Sequence, residues 1–431
     1  MSQSVEFRRD ICKSIPWIAA AALLVIVVRL FFVMVYRGGD FNPNEKMTSW
    51  SRIALNVATG HGYVYDSDAP TARRGPVPVL FIALLFSLFG PQAFPGAIVA
   101  SQWLWDAASA VLIYSISMHL FRRRRAALLA MAMFAVHPVI VENSVRVNVE
   151  PLGTCLFLAF VLTVLYALRD PNWGRFIWPG IFLGLSILSL AILQFFPIVV
   201  IGLIVVALRF EKRRILAAVI TFCLSLFAVW SPWIIRNYVD LGAFVPTSTS
   251  GGLNLLEDHY ALGETDYLRY RGDYSEELES SLSAATGMNI QHLSEVQQDH
   301  LFRDIALGII RTYPDRYIIL SIVRFFRLWF NQELGLPPDM LAGAAMLANA
   351  PLMLLAGLAL LRYRRELPTR ALLIPLTLIY VTVFYMAAAA ELRFSVPFIP
   401  FLIILSAYAV VNLVAYRSSH FGESRPVESS N

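Results

Sequence analysis

The chain has 431 residues, of which 57% are hydrophobic and only 15% charged, and its mean hydropathy is +0.61. A composition this apolar excludes an ordinary soluble globular protein. The net charge of +5 lies mostly in basic clusters between apolar stretches, which marks topology and gives no reason to expect a nucleic-acid partner.

Ten apolar stretches, near 15–36, 96–120, 126–141, 151–168, 176–193, 195–209, 214–234, 341–361, 369–389 and 395–416, read as transmembrane helices. A span needs about 20 apolar residues, with ~17 the lower limit, and three of these (126–141, 176–193 and 195–209) are near or below it. With ten spans, four basic clusters fall on one face: Arg8, Arg9 and Lys13; Arg122 to Arg125; Arg209 with Lys212 to Arg214; and Arg362, Arg364, Arg365 and Arg370. The positive-inside rule makes that face cytoplasmic. The expected fold class is an all-α polytopic bundle in the inner membrane with both termini cytoplasmic. The opposite, outer face receives a loop at 37–95, a turn at 142–150, a large loop at 235–340 and a tight turn at 390–394. The organisation is then a transmembrane module over 1–234 that includes the first outer loop, an outer loop with a small helical subdomain over 235–340, C-terminal spans over 341–416, and a tail over 417–431. The first apolar stretch has no small-residue cleavage site and reads as a retained span. Cys12, Cys155 and Cys223 lie in or beside separate spans and suggest no disulfide framework.

Three segments are apolar without reading as spans. Residues 45–59 carry Met47, Trp50, Ile53, Ala54 and Val57 at helical spacing, as in an amphipathic helix at the interface. Residues 76–90 open with two prolines and close on glycine, short for a span; were they to cross, Arg122 to Arg125 would lie outside. Residues 316–331 carry Arg316, Arg324 and Arg327, too much charge for a comfortable span, so an interfacial helix is expected.

The polar chemistry collects on the outer face. The first loop holds Asp40, Glu45, His61, Tyr63, Asp66, Asp68, Arg73 and Arg74. Carboxylates there can act as general bases and arginines can hold phosphate, against the plainer reading of a solvated loop. Arg73 and Arg74 directly precede the apolar segment at 76–90, where a lipid phosphate would lie. The turn at 142–150 carries Glu142, Arg146 and Glu150, the last also suited to compensating the N-terminus of the following span. Glu391 and Arg393 sit where a span emerges, with Arg393 either a phosphate ligand or the partner of Glu391. Arg236 reads as a phosphate contact or as a snorkelling companion of Trp233. Arg29 lies inside the first span and either snorkels or pairs with a carboxylate in the bundle. The histidines form no HExxH pair or Cys/His cluster, so no metal or other cofactor is expected; Asp66 and Asp68 are the nearest approach to a cation-binding pair.

The order acid, aromatic, IALN, GHGY, PTA, Pro-x-Pro, apolar helix, LFG resembles the first outer loop of the GT-C superfamily of glycosyltransferases. More narrowly it is similar to the branch of protein O-mannosyltransferases and the lipid A aminoarabinose transferase. The resemblance continues through SPWIIRNYVDLGAFVPTSTSGGLNL at 231–255, an AxxxIIRTYPDRY-like stretch at 306–317 and ELRFSVPFIP at 391–400. It implies sugar transfer on the outer face, with inversion, from a polyprenyl-phosphate sugar to a lipid, glycan or protein acceptor. It also implies a carboxylate base in the first outer loop, matched here by Glu45 or by Asp40, and a second acid matched by Glu150. His61, Tyr63 and Glu391 join the arginines as candidate substrate contacts. Two departures stand out: the position before the aromatic and IALN carries glutamate where the family has aspartate, and Gly75-Pro76-Val77-Pro78 replaces adjacent prolines. The alternatives are a flippase or transporter for a lipid-linked substrate, which should show inverted repeats and mid-membrane charge, and an inactive scaffold of the same fold.

Overall fold

The computed structural model of the chain describes residues 2–36, 47–66, 69–264, 282–283, 289–331, 340–363, 365 and 368–421. Among them the structure is helical, with one isolated bridge between Val64 and Pro70. We number the helices α1 (Ser2–Tyr36), α2 (Ser49–Ala58), α3 (Pro76–Phe89), α4 (Gly96–Phe121), α5 (Arg124–Val136), α6 (Pro138–Ser144), α7 (Glu150–Arg169), α8 (Ile177–Ile187), α9 (Phe196–Ala207), α10 (Lys212–Leu241), α11 (Gly251–His259), α12 (Glu295–Thr312), α13 (Pro314–Phe330), α14 (Met340–Arg362), α15 (Leu373–Ala387) and α16 (Ile399–Phe421).

Six helices among the described residues are long and apolar enough to cross a bilayer, or seven if α5 and α6 form one span bent by 54°. The bend has a local cause. Pro138 lacks an N–H and forces the residue before it out of the helical region, and His137 is extended at φ −65°, ψ 119°. The expected spans at 176–193 and 195–209 are not full-length helices: α8 has 11 residues, which at 1.5 Å each gives about 16 Å against a core of roughly 30 Å. The chain breaks between them because Leu188 to Gln194 form the wall of a cavity. There the Leu188 carbonyl packs so closely on Gly75 that a side chain at 75 would collide with it. α10 runs on to Leu241, seven residues beyond the expected end of the span.

α3 ends at Phe89 after 14 residues, with Gly90 at φ 76° closing it. Its inner face, Val79, Ile82 and Phe86, packs with Ile53 and Ala54 of α2 and with Ile98 and Trp103 of α4. Leu80, Leu84 and Leu88 form an exposed stripe on the other side, the pattern of a helix lying against lipid. α13 carries its cations inward, with Arg324 and Arg327 buried, and exposes Ile318, Ile319, Ile322 and Phe326. A segment too charged to cross a bilayer thus offers it an apolar face.

Arg29 is fully buried and pairs with Asp106 of α4 at 3.0 Å. It also donates to the Ala135 carbonyl in the last turn of α5, one that the break at His137 leaves without a helical partner. Charge inside the bundle is therefore neutralised and caps a helix end, which settles its role in favour of pairing.

The two ends of the bundle differ. Arg122, Arg169 and Arg370, from the ends of α4 and α7 and the approach to α15, lie within electrostatic reach of one another. At the far end of α7, about 28 Å away along the helix, Glu150 opens onto a cavity. The protein is thus a multi-pass membrane protein with a basic end and a cavity end.

Candidate active site

The cavity has a volume of about 650 Å³ and is walled by four separated parts of the chain: Ser49, Trp50 and Tyr65 with Arg73 and Arg74; Asn148 to Glu150; Ser250 to Asp258; and Ala389 to Phe394. A second, apolar space of about 600 Å³ adjoins it, lined by Ile187, Leu188, Ile192, Phe195, Phe244, Phe384 and Tyr385. Trp50, Arg73, Arg74, Glu150 and Phe394 line both spaces. A polar chamber therefore opens into a greasy groove across a pair of arginines.

The loop bearing those arginines is built by local rules. Thr48 caps α2 by accepting from the Ser51 N–H. The GHGY turn needs its glycines, since Gly60 and Gly62 have φ of 86° and 87°. Asn56 then holds the turn by donating to the carbonyls of Val64 and Tyr65 at 3.0 and 2.9 Å. Arg73 lies over the Tyr65 ring at 5.1 Å and Arg74 over Trp50 at 5.3 Å, with the Arg74 Nε donating to the Ser49 hydroxyl at 2.8 Å. Among the described residues neither forms an ion pair. Burial, and then the neighbouring Arg393 and Arg73 guanidinium groups, pull Arg74 below the usual arginine range. Cationic charge concentrated without a counter-ion is a site for an anion.

Arg393 pairs with Glu391 through its Nε at 2.7 Å, and both line the chamber. Glu150, first residue of α7 and buried, accepts from the Val149 N–H at 3.1 Å and lies within electrostatic reach of Arg393 and Glu391. Arg73, Arg74, Arg393, Glu150 and Glu391 are thus brought together from sequence positions more than 300 residues apart.

Other expected residues lie elsewhere. Arg236 lines neither space; it pairs with Asp240 at 2.8 Å, donates to the carbonyls of Thr71 and Tyr63, and stacks over Tyr63 and Trp233. It ties the first loop to α10, which leaves its guanidinium occupied by the protein. Tyr63 is a buttress: its hydroxyl donates to the Arg74 carbonyl at 2.8 Å, its ring meets Trp233 edge-on, and burial raises its pKa. His61 is exposed and bonded to Thr59, away from both spaces. Asp66 pairs with Arg52 at 3.1 Å in solvent. Glu45, Asp40 and Asp68 lie outside the described residues. Among the described residues no group of three His, Cys, Asp or Glu is arranged to hold a metal ion.

Two features have no signature in the sequence. Glu295, in the first turn of α12, accepts from Thr71 Oγ1 at 2.5 Å, from the Ala72 N–H at 2.9 Å and from the Thr249 hydroxyl. Asp258 on the chamber wall pairs with Arg324 and lies 3.9 Å from Arg327, while Arg324 also donates to His259 Nε2 at 3.0 Å and to the Met386 carbonyl at 3.2 Å. Each joins groups far apart in the chain, so no local spacing could reveal it.

The family model described as dolichyl-phosphate-mannose-protein mannosyltransferase matches residues 73–233. Among solved structures, the chain is similar to the archaeal oligosaccharyltransferase AglB from Archaeoglobus fulgidus in complex with an inhibitory peptide and a dolichol-phosphate. The TM-score is 0.57 at 15% identity, covering 96% of this chain and 52% of that one. The apo form of the Archaeoglobus fulgidus oligosaccharyltransferase gives 0.52 at 15% identity, with 95% and 53% covered. ArnT from Cupriavidus metallidurans bound to undecaprenyl phosphate gives 0.41 at 13%, with 96% and 81% covered. The chain thus spans about half the length of the archaeal chains it matches. No curated protein sequence matches it. The fold is the GT-C fold of membrane glycosyltransferases. Within that superfamily the chain falls in the branch resembling protein O-mannosyltransferases.

Proposed function

We propose that this protein is a membrane glycosyltransferase that moves a sugar from a polyprenyl-phosphate donor to an acceptor on the outer face of the inner membrane. The observation that carries the reading is the arginine pair without ion-pair partners at the junction of polar chamber and apolar groove. An isoprenoid phosphate has that same division, a hydrocarbon tail ending in an anion. The dolichol-phosphate in the AglB complex is of the same chemical class. The basic end of the bundle supports a cytoplasmic assignment for that end, which turns the cavity outward.

The reaction is a single displacement with inversion. The acceptor oxygen forms a bond to the anomeric carbon as the bond to the phosphate oxygen breaks. The acceptor proton passes to a carboxylate, Glu45 or Asp40, and Arg73 and Arg74 stabilise the charge on the departing phosphate. Glu150 and the Glu391–Arg393 pair orient the sugar between them. The chemistry uses no metal or other cofactor.

The test is turnover of a radiolabelled polyprenyl-phosphate sugar by protein in lipid, supplied with membrane extract as acceptor source. Sugar leaving the carrier supports the reading. A change of sidedness without chemistry indicates a flippase, and neither outcome indicates an inactive scaffold. Glu45→Gln or Asp40→Asn should cost about 10²-fold or more in rate, and parent-like turnover in both single variants would remove the mechanism.

A further inference from the structure

Behind the Glu391–Arg393 turn lies another pocket of about 350 Å³, distinct from the chamber and the groove. It takes Glu391, Arg393 and Asn148 as a wall shared with the chamber, and adds Asn143, Arg146 and Asn331. Its chemistry differs from that of the chamber. Each arginine on its wall faces a carboxylate: Arg146 pairs with Glu142 at 2.5 Å, Arg393 with Glu391 at 2.7 Å, and Arg327 lies 3.9 Å from Asp258. A wall of neutralised charges has little to offer a phosphate. It retains many directional donors and acceptors, to which three asparagine amides add more.

One of those amides is unsatisfied. Asn143 is 2% exposed, and its Oδ1 has no hydrogen-bond partner among the described residues. Leaving a buried acceptor unpaired costs about 1–3 kcal/mol, so a group at this position that donates is favoured. Paired charges, amides and a waiting acceptor are the environment that recognises clustered, uncharged hydroxyl groups. A volume of 350 Å³ is ample for one sugar ring.

We infer that this pocket is a carbohydrate subsite, holding a neutral sugar ring against Asn143, Asn331 and the Glu391–Arg393 pair. The inference deepens the glycosyl-transfer reading and rests on it. The ring belongs either to the donor or to the acceptor, and both sources share the same recognition chemistry. Because the Glu391–Arg393 turn is common to pocket and chamber, a ring held here sits beside the place where the donor phosphate would lie.

The test uses the full chain in lipid nanodiscs, with methyl mannoside, methyl glucoside and methyl N-acetylglucosaminide as probes followed by saturation-transfer NMR. Undecaprenyl phosphate binding is measured separately on the same samples. At least one glycoside should bind the parent, and Asn143→Leu should weaken it about tenfold or more, the loss of one buried hydrogen bond. Asn331→Gly, which suits the positive φ of 52° at that position, should weaken it too. Undecaprenyl phosphate binding should hold in both variants, which shows they are folded. Repeating the measurement with saturating polyprenyl-phosphate sugar distinguishes the sources: displacement of the glycoside assigns the pocket to the donor sugar, and simultaneous binding assigns it to an acceptor. No glycoside binding to a parent that binds undecaprenyl phosphate would overturn the inference and leave the transferase reading standing. So would glycoside binding that both variants retain. Failure of the parent to bind either probe would sink both.

Discussion

The Glu295 carboxylate accepts from the Ala72 N–H at 2.9 Å, across 223 residues of chain. With the bonds from Thr71 and Thr249, and that from Ser250 Oγ to the Arg73 carbonyl at 2.7 Å, it fixes the backbone from which Arg73 and Arg74 project. Glu295 lines neither chamber nor groove, so it acts through the arginines as a positioning residue. Glu295→Ala should raise the donor KM and lower kcat/KM by about 10–100-fold, since small misplacements of binding groups cost that much. Glu295→Gln, which keeps one acceptor oxygen, should fall between. A donor KM equal to the parent's in Glu295→Ala would show that the arginines hold their place without it.

The four candidate arginines should separate by phenotype. Arg74→Lys keeps the charge but loses the planar fork, and Arg74→Ala loses both. Donor binding should weaken in that order, by about 10–100-fold for alanine, as charge-assisted hydrogen bonds are worth about 1.5–3 kcal/mol. Arg73→Ala should behave similarly. Arg393→Lys should lose activity with normal membrane insertion, because its pair with Glu391 borders both the chamber and the pocket behind it. Arg236→Ala should instead lower thermal stability, by about 1–3 kcal/mol, through the loop carbonyls and Asp240 it leaves unpaired. Full stability in Arg236→Ala together with weakened donor binding would return Arg236 to the phosphate site.

These contrasts show which parts of the site the sequence could reveal. Arg73, Arg74 and Arg393 were legible because each flanks an apolar segment, and the alternation of spans delivers all such flanks to one end. Arg236 shares that flanking position, yet its neighbours Asp240 and Trp233 on the same helix face, with the Thr71 carbonyl, consume its donors. Nothing in spacing distinguishes the two fates. The lengths of α8 and α9 were not legible either, because an apolar run of 11 residues has the same composition whether it crosses a bilayer or stops at a cavity wall. Arg29 could be flagged as anomalous, but its partner Asp106 and the freed Ala135 carbonyl are 77 and 106 residues away.

The short length of α3 makes a topology prediction. Ser87 sits on its last turn, and the exposed Leu80, Leu84 and Leu88 stripe lets the helix lie along the interface without crossing. A cysteine at Ser87 should react with a membrane-impermeant reagent in intact cells, and one at Arg124 should be protected. Labelling of the Arg124 position with protection at Ser87 would invert the sidedness and place the cavity on the cytoplasmic face.

His259 gives the pH dependence. It is fully buried, donates from Nδ1 to the Leu255 carbonyl at 2.6 Å and accepts at Nε2 from Arg324 at 3.0 Å, with Tyr317 stacked on it and Asp258 on the far side of Arg324. That arrangement needs the neutral ring, since a second proton would meet the Arg324 cation. Burial and then Arg324 push the imidazole down to about 3. In the unfolded chain it titrates near 6.5, so below that pH the unfolded state binds a proton that the folded state refuses. The stability this residue contributes is therefore complete above about pH 6.5 and is lost as pH falls toward 3, at about 1.4 kcal/mol per pH unit. Thermal unfolding in detergent between pH 7.5 and 5 should show the decline in the parent. His259→Gln, neutral throughout and able to accept from Arg324, should show a slope smaller by one proton. Equal slopes in the two proteins would mean that His259 keeps its ordinary pKa and that the contact with Arg324 does not hold the ring neutral.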